Sequence, residues 1–555
     1  MPWKYARHLH FRLDFYKPWW ADCPHRALYT QDDIWAEIES DSDLDASDDD
    51  AIRSDYGPYE RFSNHSRDFE HLAFTAGLIV NEIGDNRLDT FSWELETCIP
   101  EAILGPRGII TTRQRLLRAL SIITNPCCYE KPAIPATQGS AIDLGNFRKL
   151  KSLQWRAPRS KDAPTLLSAL SRNRRHLERL ELDLGECHDD KDGHPPSEQE
   201  SIIHDSAFLR KLLRIQHTPS MPVFPELREL FLLSTTIGPG LARGLDFDTL
   251  VSLRFRNCHG LPGFFATLVE LRVQPKIKAF EIYSSNEFKN FVGQEEELKD
   301  AVTRFLGSFS GLTDLALRLT SDPWFPKPEF WSSILAHRPT LQNCVLDELW
   351  ASCWSSELTS EPFFLRLEKC PSSNPLGFFD VQCIGLKHEI KHLRTMLLPF
   401  SSKSRLELLH LRFSYFDSRV WECINRSWGA SATAATNIEE ADSTGVLYGA
   451  QDWGSQLRKE RVSGDASSPS TYRLQKEFCD LIEWAFGPQG IRSLRTIAVG
   501  DFSATGPCDG RLCISVDSHG ILSVLKGRDN RMAYPLEKFR EFVRSETVSL
   551  NYDIL

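Results

Sequence analysis

Apolar residues recur along the chain in a short pattern, Leu-x-x-Leu-x-Leu, in which Ile can replace the first leucine and Phe, Ile, Trp, Val or Cys can replace a later one. The alternation at the end of each copy predicts a short strand whose apolar side chains share one face. Helical periodicity fits between many of these strands. Eleven copies occur, and they begin at Leu88, Leu117, Leu150, Leu177, Leu227, Leu250, Ile277, Leu312, Leu341, Leu406 and Leu494.

Strands and helices that alternate at repeat-like intervals predict an α/β fold of a particular kind. We expect a leucine-rich-repeat solenoid, with a curved parallel sheet, helices on the convex side and irregular repeats. Insertions that bury little are expected to be disordered. The alternative is a set of unrelated amphipathic strands in another α/β fold. Eleven copies favour the solenoid.

Composition divides the chain into four predicted segments. They are 1–70, an N-terminal repeat-like segment with an acidic insertion at about 32–50; 71–426, the leucine-rich-repeat solenoid with a polar insertion at 187–201; 427–472, a flexible low-complexity insertion; and 473–555, the last repeat and a C-terminal cap. A cap is expected because the end of a solenoid must be shielded from water. The acidic insertion is either phosphorylated at Ser42 and Ser47 or a plain solvated charge run.

The charge balance narrows the classes of partner. The chain has 65 Lys and Arg against 76 Asp and Glu, which gives a formal net charge of −11. An acidic chain is a poor candidate for binding nucleic acid or an anionic membrane. No secretory signal or transmembrane stretch is recognisable, so we expect an intracellular protein, cytoplasmic or nuclear, with scattered free cysteines.

Motifs for catalysis are sparse. The phosphate-binding loop, the dinucleotide-binding glycine pattern and the hydrolase nucleophile elbow are all missing from the sequence. His388, Glu389 and His392 match the H-E-x-x-H zinc motif. A buried stripe through Ile390 and Leu393 would put both histidines on the flank of a solvated helix, which we prefer. We therefore predict a non-enzymatic protein with no cofactor and no metal, and keep a zinc metalloenzyme as an alternative.

The residues between the leucines of each strand carry the functional prediction, because they point away from the core. In the middle repeats these residues are aromatic, basic and acidic, and aromatic residues and arginine are enriched at protein interfaces. The alternative is a mixed charged surface without a partner. We predict a protein substrate on the concave face, contacted by Phe231, Leu233, Arg254, Arg256, Glu281, Tyr283 and Arg318.

Four segments, 6–12, 23–25, 86–94 and 97–104, together resemble the leucine-rich region of fungal F-box proteins. The resemblance implies the substrate-recognition part of an SCF ubiquitin ligase. It also implies a Skp-type adaptor and a cullin as partners if an F-box exists upstream. The F-box itself is not visible, because the segment at 99–104 runs directly into the repeat that begins at Leu117. A leucine-rich scaffold with no ligase role is therefore kept as an alternative.

Overall fold

The computed structural model forms two compact units, one within residues 1–250 and one within residues 251–551. Each unit is built from strands, short helices and the connections between them. The predicted acidic insertion at about 32–50, the predicted polar insertion at 187–201 and most of the predicted flexible insertion at 427–472 lie outside the described residues. The structure describes residues 5–12, 71–95, 98–124, 142–158, 162–184, 222–284, 295–320, 328–349, 374–387, 390–412, 447–449, 469–500, 512–517, 521–526 and 536–539.

The first unit is a parallel sheet whose strands follow one another in chain order. Its strands are β1 (His8–Arg12), β2 (Thr90–Glu94), β3 (Ala119–Ile123), β4 (Ser152–Arg156), β5 (Arg179–Asp183) and β6 (Glu229–Leu233). Its helices are α1 (71–81), α2 (Glu101–Leu104), α3 (Ile109–Arg113), α4 (Ala163–Asn173) and α5 (Pro239–Gly244).

The second unit is also a sheet of parallel strands in chain order, and its last strands are antiparallel. Its parallel strands are β7 (Ser252–Arg256), β8 (Ala279–Ser284), β9 (Asp314–Thr320), β10 (Asn343–Leu349), β11 (Cys383–Lys387), β12 (Leu408–Arg412) and β14 (Thr496–Val499). Its helices are α6 (Leu261–Glu270), α7 (Glu295–Gly307), α8 (Pro328–Leu335), α9 (Ile390–Leu397) and α10 (Pro469–Phe486), with 3-10 turns at Pro375–Phe378, Leu398–Ser402 and Glu537–Phe539. The predicted α/β class with a mostly parallel sheet is confirmed.

Antiparallel strands finish the second unit. β15 (Leu512–Val516) pairs with β14, β16 (Ile521–Lys526) pairs with β15, and β13 (Leu447–Gly449) pairs with β16. The alternating apolar pattern at 511–526 is typical of a hairpin, and β15 and β16 form one. β13 lies inside the segment 427–472 that was predicted to be a flexible insertion.

Register follows the apolar pattern. Leu120 on β3 is aligned with Leu153 on β4, and Leu153 with Leu180 on β5. All eleven predicted copies fall on strands of the structure. β1 and β11 were not in that set, because their copies begin with Ala6 and Val381 in place of a leucine.

Helices cover the apolar face of the strands. Phe255 on β7 meets Phe264 and Phe265 on α6 edge to face, with ring centroids 5.2 and 6.0 Å apart. Phe265 also contacts Phe280 on β8 and Phe305 on α7, at 5.7 and 5.0 Å. Such aromatic pairs add to the free energy gained by burying their area. The helices therefore lie on one side of these strands, and the alternate residues face the other side.

Buried polar side chains tie neighbouring repeats together. In each case a residue at or after the end of a helix accepts a hydrogen bond from the backbone amide of the leucine that opens the preceding copy of the pattern. The same side chain donates to a carbonyl three to six residues before that leucine. The pairs are Gln114 with Leu88, Asn173 with Leu150 and His337 with Leu312, at 3.1, 2.9 and 3.3 Å.

Candidate functional site: the polar strand face

We call the first, third and fifth residues of each parallel strand the polar face of its unit. These residues alternate with the apolar ones that the helices cover. The face carries all seven residues that were predicted to bind a partner. Phe231 and Leu233 lie on β6 of the first unit, and Arg254, Arg256, Glu281, Tyr283 and Arg318 lie on β7, β8 and β9 of the second.

The carboxylate of Glu94, on β2 of the first unit, accepts hydrogen bonds from two serine hydroxyls. Ser92 donates to its Oε1 atom at 2.6 Å, and Ser121 on the next strand donates to the same atom at 2.9 Å. Hydrogen bonds to a carboxylate are stronger than those between neutral groups. These three side chains therefore hold one another in place on the face.

Glu181 is the centre of a second, more deeply buried network. Gln154 donates to its Oε1 atom at 2.9 Å, and Arg156 donates to the same atom at 2.8 Å from Nε and 2.6 Å from Nη2. Arg179 lies 3.6 Å from its other oxygen. Burial disfavours the charged form of Arg156. The contact with Glu181 and the charges of the nearby acidic residues together favour that form more strongly. The pKa of the guanidinium is therefore raised.

Arg256 and Glu281 form a buried ion pair in the second unit. Both Nε and Nη2 of Arg256 lie 2.6 Å from Oε1 of Glu281. The two side chains are only 4% and 9% exposed. Both were predicted to contact a partner, and the prediction that they face solvent is wrong. They are buried because the two opposite charges, on adjacent strands, form an ion pair with each other.

The predicted exposure of Phe231 and Leu233 is also wrong. Phe231 is 8% exposed and Leu233 is 1% exposed. Apolar side chains bury wherever neighbouring groups allow it, whichever face of the strand they occupy. The alternation rule fails at β6 for that reason.

Arg254, Tyr283 and Arg318 keep their access to solvent, and all three are half-buried. The guanidinium of Arg318 stacks over the ring of Tyr283, 4.3 Å from its centroid. A cation so placed is attracted by the electron-rich face of the ring. These three of the seven predicted residues form the accessible part of the site, which we call the β7–β9 patch.

The C-terminal residues cover another part of the polar face, which the sequence did not predict. Leu536 and Phe539 belong to one apolar cluster with Cys383 on β11 and Leu408 on β12. An ion pair between Lys538 and Glu407, 2.6 Å apart, lies beside it. The end of the polar face is thus closed by the chain itself. Apolar residues at positions expected to be exposed were the signal for this covering.

The zinc motif is only partly visible. His388 and Glu389 lie outside the described residues, and His392 lies half-buried on α9. The predicted stripe is confirmed, since Ile390 and Leu393 are buried. Within the described ranges, no group of three or more His, Cys, Asp or Glu side chains could hold a metal ion.

Buried thiols show no sign of activation. Burial raises the pKa of Cys344 and of Cys513 to about 12. A nucleophilic or metal-binding thiol needs a lowered pKa, because the thiolate is the reactive form. These two side chains therefore stay protonated at neutral pH and pack as apolar groups.

The chain was compared with protein-family models and with curated proteins. No protein-family model matches the chain. No curated protein matches it either. In the part of the chain that the structure describes, no helix is both long enough and apolar enough to cross a membrane.

Proposed function

We propose that this chain is a non-enzymatic leucine-rich-repeat protein that binds another protein on the polar face of its second unit. The observation that carries the proposal is the β7–β9 patch. Arginine and tyrosine lie there half-exposed on the strand face that α6 and α7 leave open. Arginine and tyrosine are the types that dominate binding energy at protein interfaces.

The repeat assignment is supported by the register. Each apolar pair of one strand is aligned with the apolar pair of the next, and the connections between them contain helices. The recurrent bridges from Gln114, Asn173 and His337 support it further, because each of these three side chains lies three or four residues before the opening leucine of its own copy and satisfies the backbone of the preceding one. A stack of this kind offers one long face to a partner.

The more specific proposal is a substrate receptor of an SCF-type ubiquitin ligase. It rests on the resemblance of segments such as 86–94 to the leucine-rich region of F-box proteins. In that role the patch would select the substrate, and a Skp-type adaptor and a cullin would bind elsewhere. The alternative is a leucine-rich scaffold, in which the same face would bind a partner and no ligase subunit would be bound.

Capture from the source cells separates these roles. The chain is tagged at its C-terminus at the native locus, and the bound proteins are quantified by mass spectrometry for wild type, Arg254→Gln and Arg304→Gln. Arg304 is an exposed residue of α7 and serves as the matched control. We expect Arg254→Gln to reduce the substrate at least about fivefold, as for a residue near an interface hot spot, and to leave adaptor and cullin unchanged.

The possible outcomes differ clearly. Equal capture by both variants would remove the patch from the binding site. Loss of one protein in Arg254→Gln, with no adaptor or cullin in any sample, would establish a scaffold and end the ligase role.

A further inference from the structure

We propose that two neighbouring turns of the first unit bind an acidic segment of a partner protein. The turns span residues 145–151, before β4, and residues 172–178, from the end of α4 to β5. They carry six Lys and Arg against one Glu, in a chain whose formal net charge is −11. The inference goes beyond the proposed function and does not rest on it, because none of these residues belongs to the second unit.

Hydrogen bonds hold the two turns side by side. The side-chain amide of Asn173 donates to the carbonyl of Phe147, and its oxygen accepts from the amide of Leu150, both at 2.9 Å. The backbone amide of Glu178 donates to the carbonyl of Lys151 at 2.7 Å. The strands that follow are paired, so the backbones of the two turns are about 5 Å apart where they enter the sheet.

Four cations of these turns are exposed, and we call them the basic turn cluster: Arg148, Lys149, Arg174 and Arg175. The first two lie between the two residues that Asn173 bonds, and the other two directly follow Asn173. Within the ranges that the structure describes, none of the four forms an ion pair or a hydrogen bond through its side chain. The cluster therefore brings four uncompensated positive charges together.

The remaining charges of the two turns are engaged within the protein. Nζ of Lys151 lies 2.5 Å from a carboxylate oxygen of Glu178, the one acidic side chain of the turns. Arg172 donates to a backbone carbonyl of the first turn. Glu178 is therefore shared with Lys151, and the basic turn cluster stays positive.

The end of α4 accounts for Arg172 but not for the basic turn cluster. A positive charge is favourable near a helix C-terminus within the last turn, and Arg172 lies in that turn. The side-chain amide of Asn173 also donates to the carbonyl of Ala169 at 2.8 Å. Arg148 and Lys149 belong to the other turn, so the helix does not explain them.

The repeat does not require this charge either. The two residues before an opening leucine are basic in Arg148 and Lys149. In the second unit the same two positions hold Asp248 and Thr249 in one copy, and Ser310 and Gly311 in another. Like charges at close spacing repel each other, so the basic turn cluster opposes folding slightly unless an anion binds it.

The residue types favour a protein segment over nucleic acid. Three of the four cations are arginine, whose planar guanidinium can bind both oxygens of a carboxylate. Phe147 is the one Phe, Tyr or Trp of the two turns, and it is buried, so the turns offer no ring for a base to stack on. The net charge of −11 repels a long polyanion. A short run of carboxylates meets the four cations and little of that repulsion.

The test uses the full chain and measures the fluorescence anisotropy of fluorescein-labelled hexaglutamate at about 0.15 M salt. Hexaglutamine is the uncharged comparison probe, and a deoxythymidine dodecamer is the nucleic-acid probe. We expect hexaglutamate to bind at least about tenfold more tightly than either of them.

Three double variants each remove two positive charges: Arg148→Gln with Lys149→Gln, Arg174→Gln with Arg175→Gln, and Arg243→Gln with Arg304→Gln. The first two should each weaken hexaglutamate binding at least about fivefold. The third removes exposed arginines of α5 and α7 and should leave binding unchanged. Thermal unfolding should match wild type in all three, because every one of these side chains is exposed.

Four results would overturn the proposal. They are absence of hexaglutamate binding at millimolar peptide, equal binding of hexaglutamine, equal binding by all three double variants, and tighter binding of the deoxythymidine dodecamer than of hexaglutamate. The last result would assign the basic turn cluster to nucleic acid instead.

Discussion

Replacing Glu281 with alanine is expected to destabilise the second unit by about 3–5 kcal/mol, because it leaves the charge of Arg256 buried without its partner. The two side chains are almost fully shielded from water, and both nitrogen contacts converge on one carboxylate oxygen. The free energy of unfolding, measured with urea and tryptophan fluorescence, reports the change.

Two comparison variants show whether the ion pair is responsible. Arg254→Ala removes a half-exposed arginine from β7, the strand that also carries Arg256, and should lower the free energy of unfolding by less than about 1 kcal/mol. The double variant Arg256→Met with Glu281→Leu removes both charges and should be close to wild type in stability. A loss below about 1 kcal/mol in Glu281→Ala would contradict the buried ion pair.

His337 is expected to make stability fall as the pH is lowered from 6.5 towards 4. Its Nδ1 atom accepts from the amide of Leu312 and its Nε2 atom donates to the carbonyl of Leu306, so the fold requires the neutral ring. Burial lowers the pKa of His337 from 6.5 to about 4, against a smaller opposing effect of the bond to Leu306.

The sign of the effect follows from proton binding. Between these two pKa values the unfolded chain binds a proton that the folded chain excludes, so the stabilisation is complete above pH 6.5 and is lost as the pH falls to 4. The full loss is about 3 kcal/mol. In His337→Gln the amide can bridge as Gln114 does, and this part of the pH dependence should disappear. His8→Gln, a matched change at an exposed histidine, controls for the substitution. A slope unchanged in His337→Gln would show that His337 is not the responsible group.

The strands could be predicted because the core dictates their pattern. Each strand must turn two apolar side chains towards the helices, and this repeats whenever a new strand joins the sheet, as at Leu120 and Leu153. Copies that use smaller residues, as at Ala6 and Val381, carry the same geometry with a weaker hydrophobic signal. A search that allowed Ala and Val at the first position would have found them.

The site could be predicted only in part, since burial on the polar face depends on side chains one repeat away. Arg256 and Glu281 are 25 residues apart in the chain and bond across adjacent strands. Arg156 and Glu181 have the same separation and do the same. An arginine at the fifth position of one strand and a glutamate at the third position of the next were therefore a usable signal for internal pairing. For the covering of Cys383 by Phe539, the apolar residues on β11 and β12 indicated that something covers them, but no local pattern identified the covering segment, because the contact joins distant parts of the chain.

The central claim is that a partner protein lies against the β7–β9 patch, and photo-crosslinking tests it most directly. Tyr283→p-benzoylphenylalanine places the crosslinker in the patch, and Phe378→p-benzoylphenylalanine places it on an exposed aromatic position in a 3-10 turn away from the polar face. Each full-length variant is irradiated in the source cells and its adducts are identified by mass spectrometry. We expect one predominant protein adduct from position 283 that is missing from position 378. Identical adduct patterns, or none from position 283, would contradict the account.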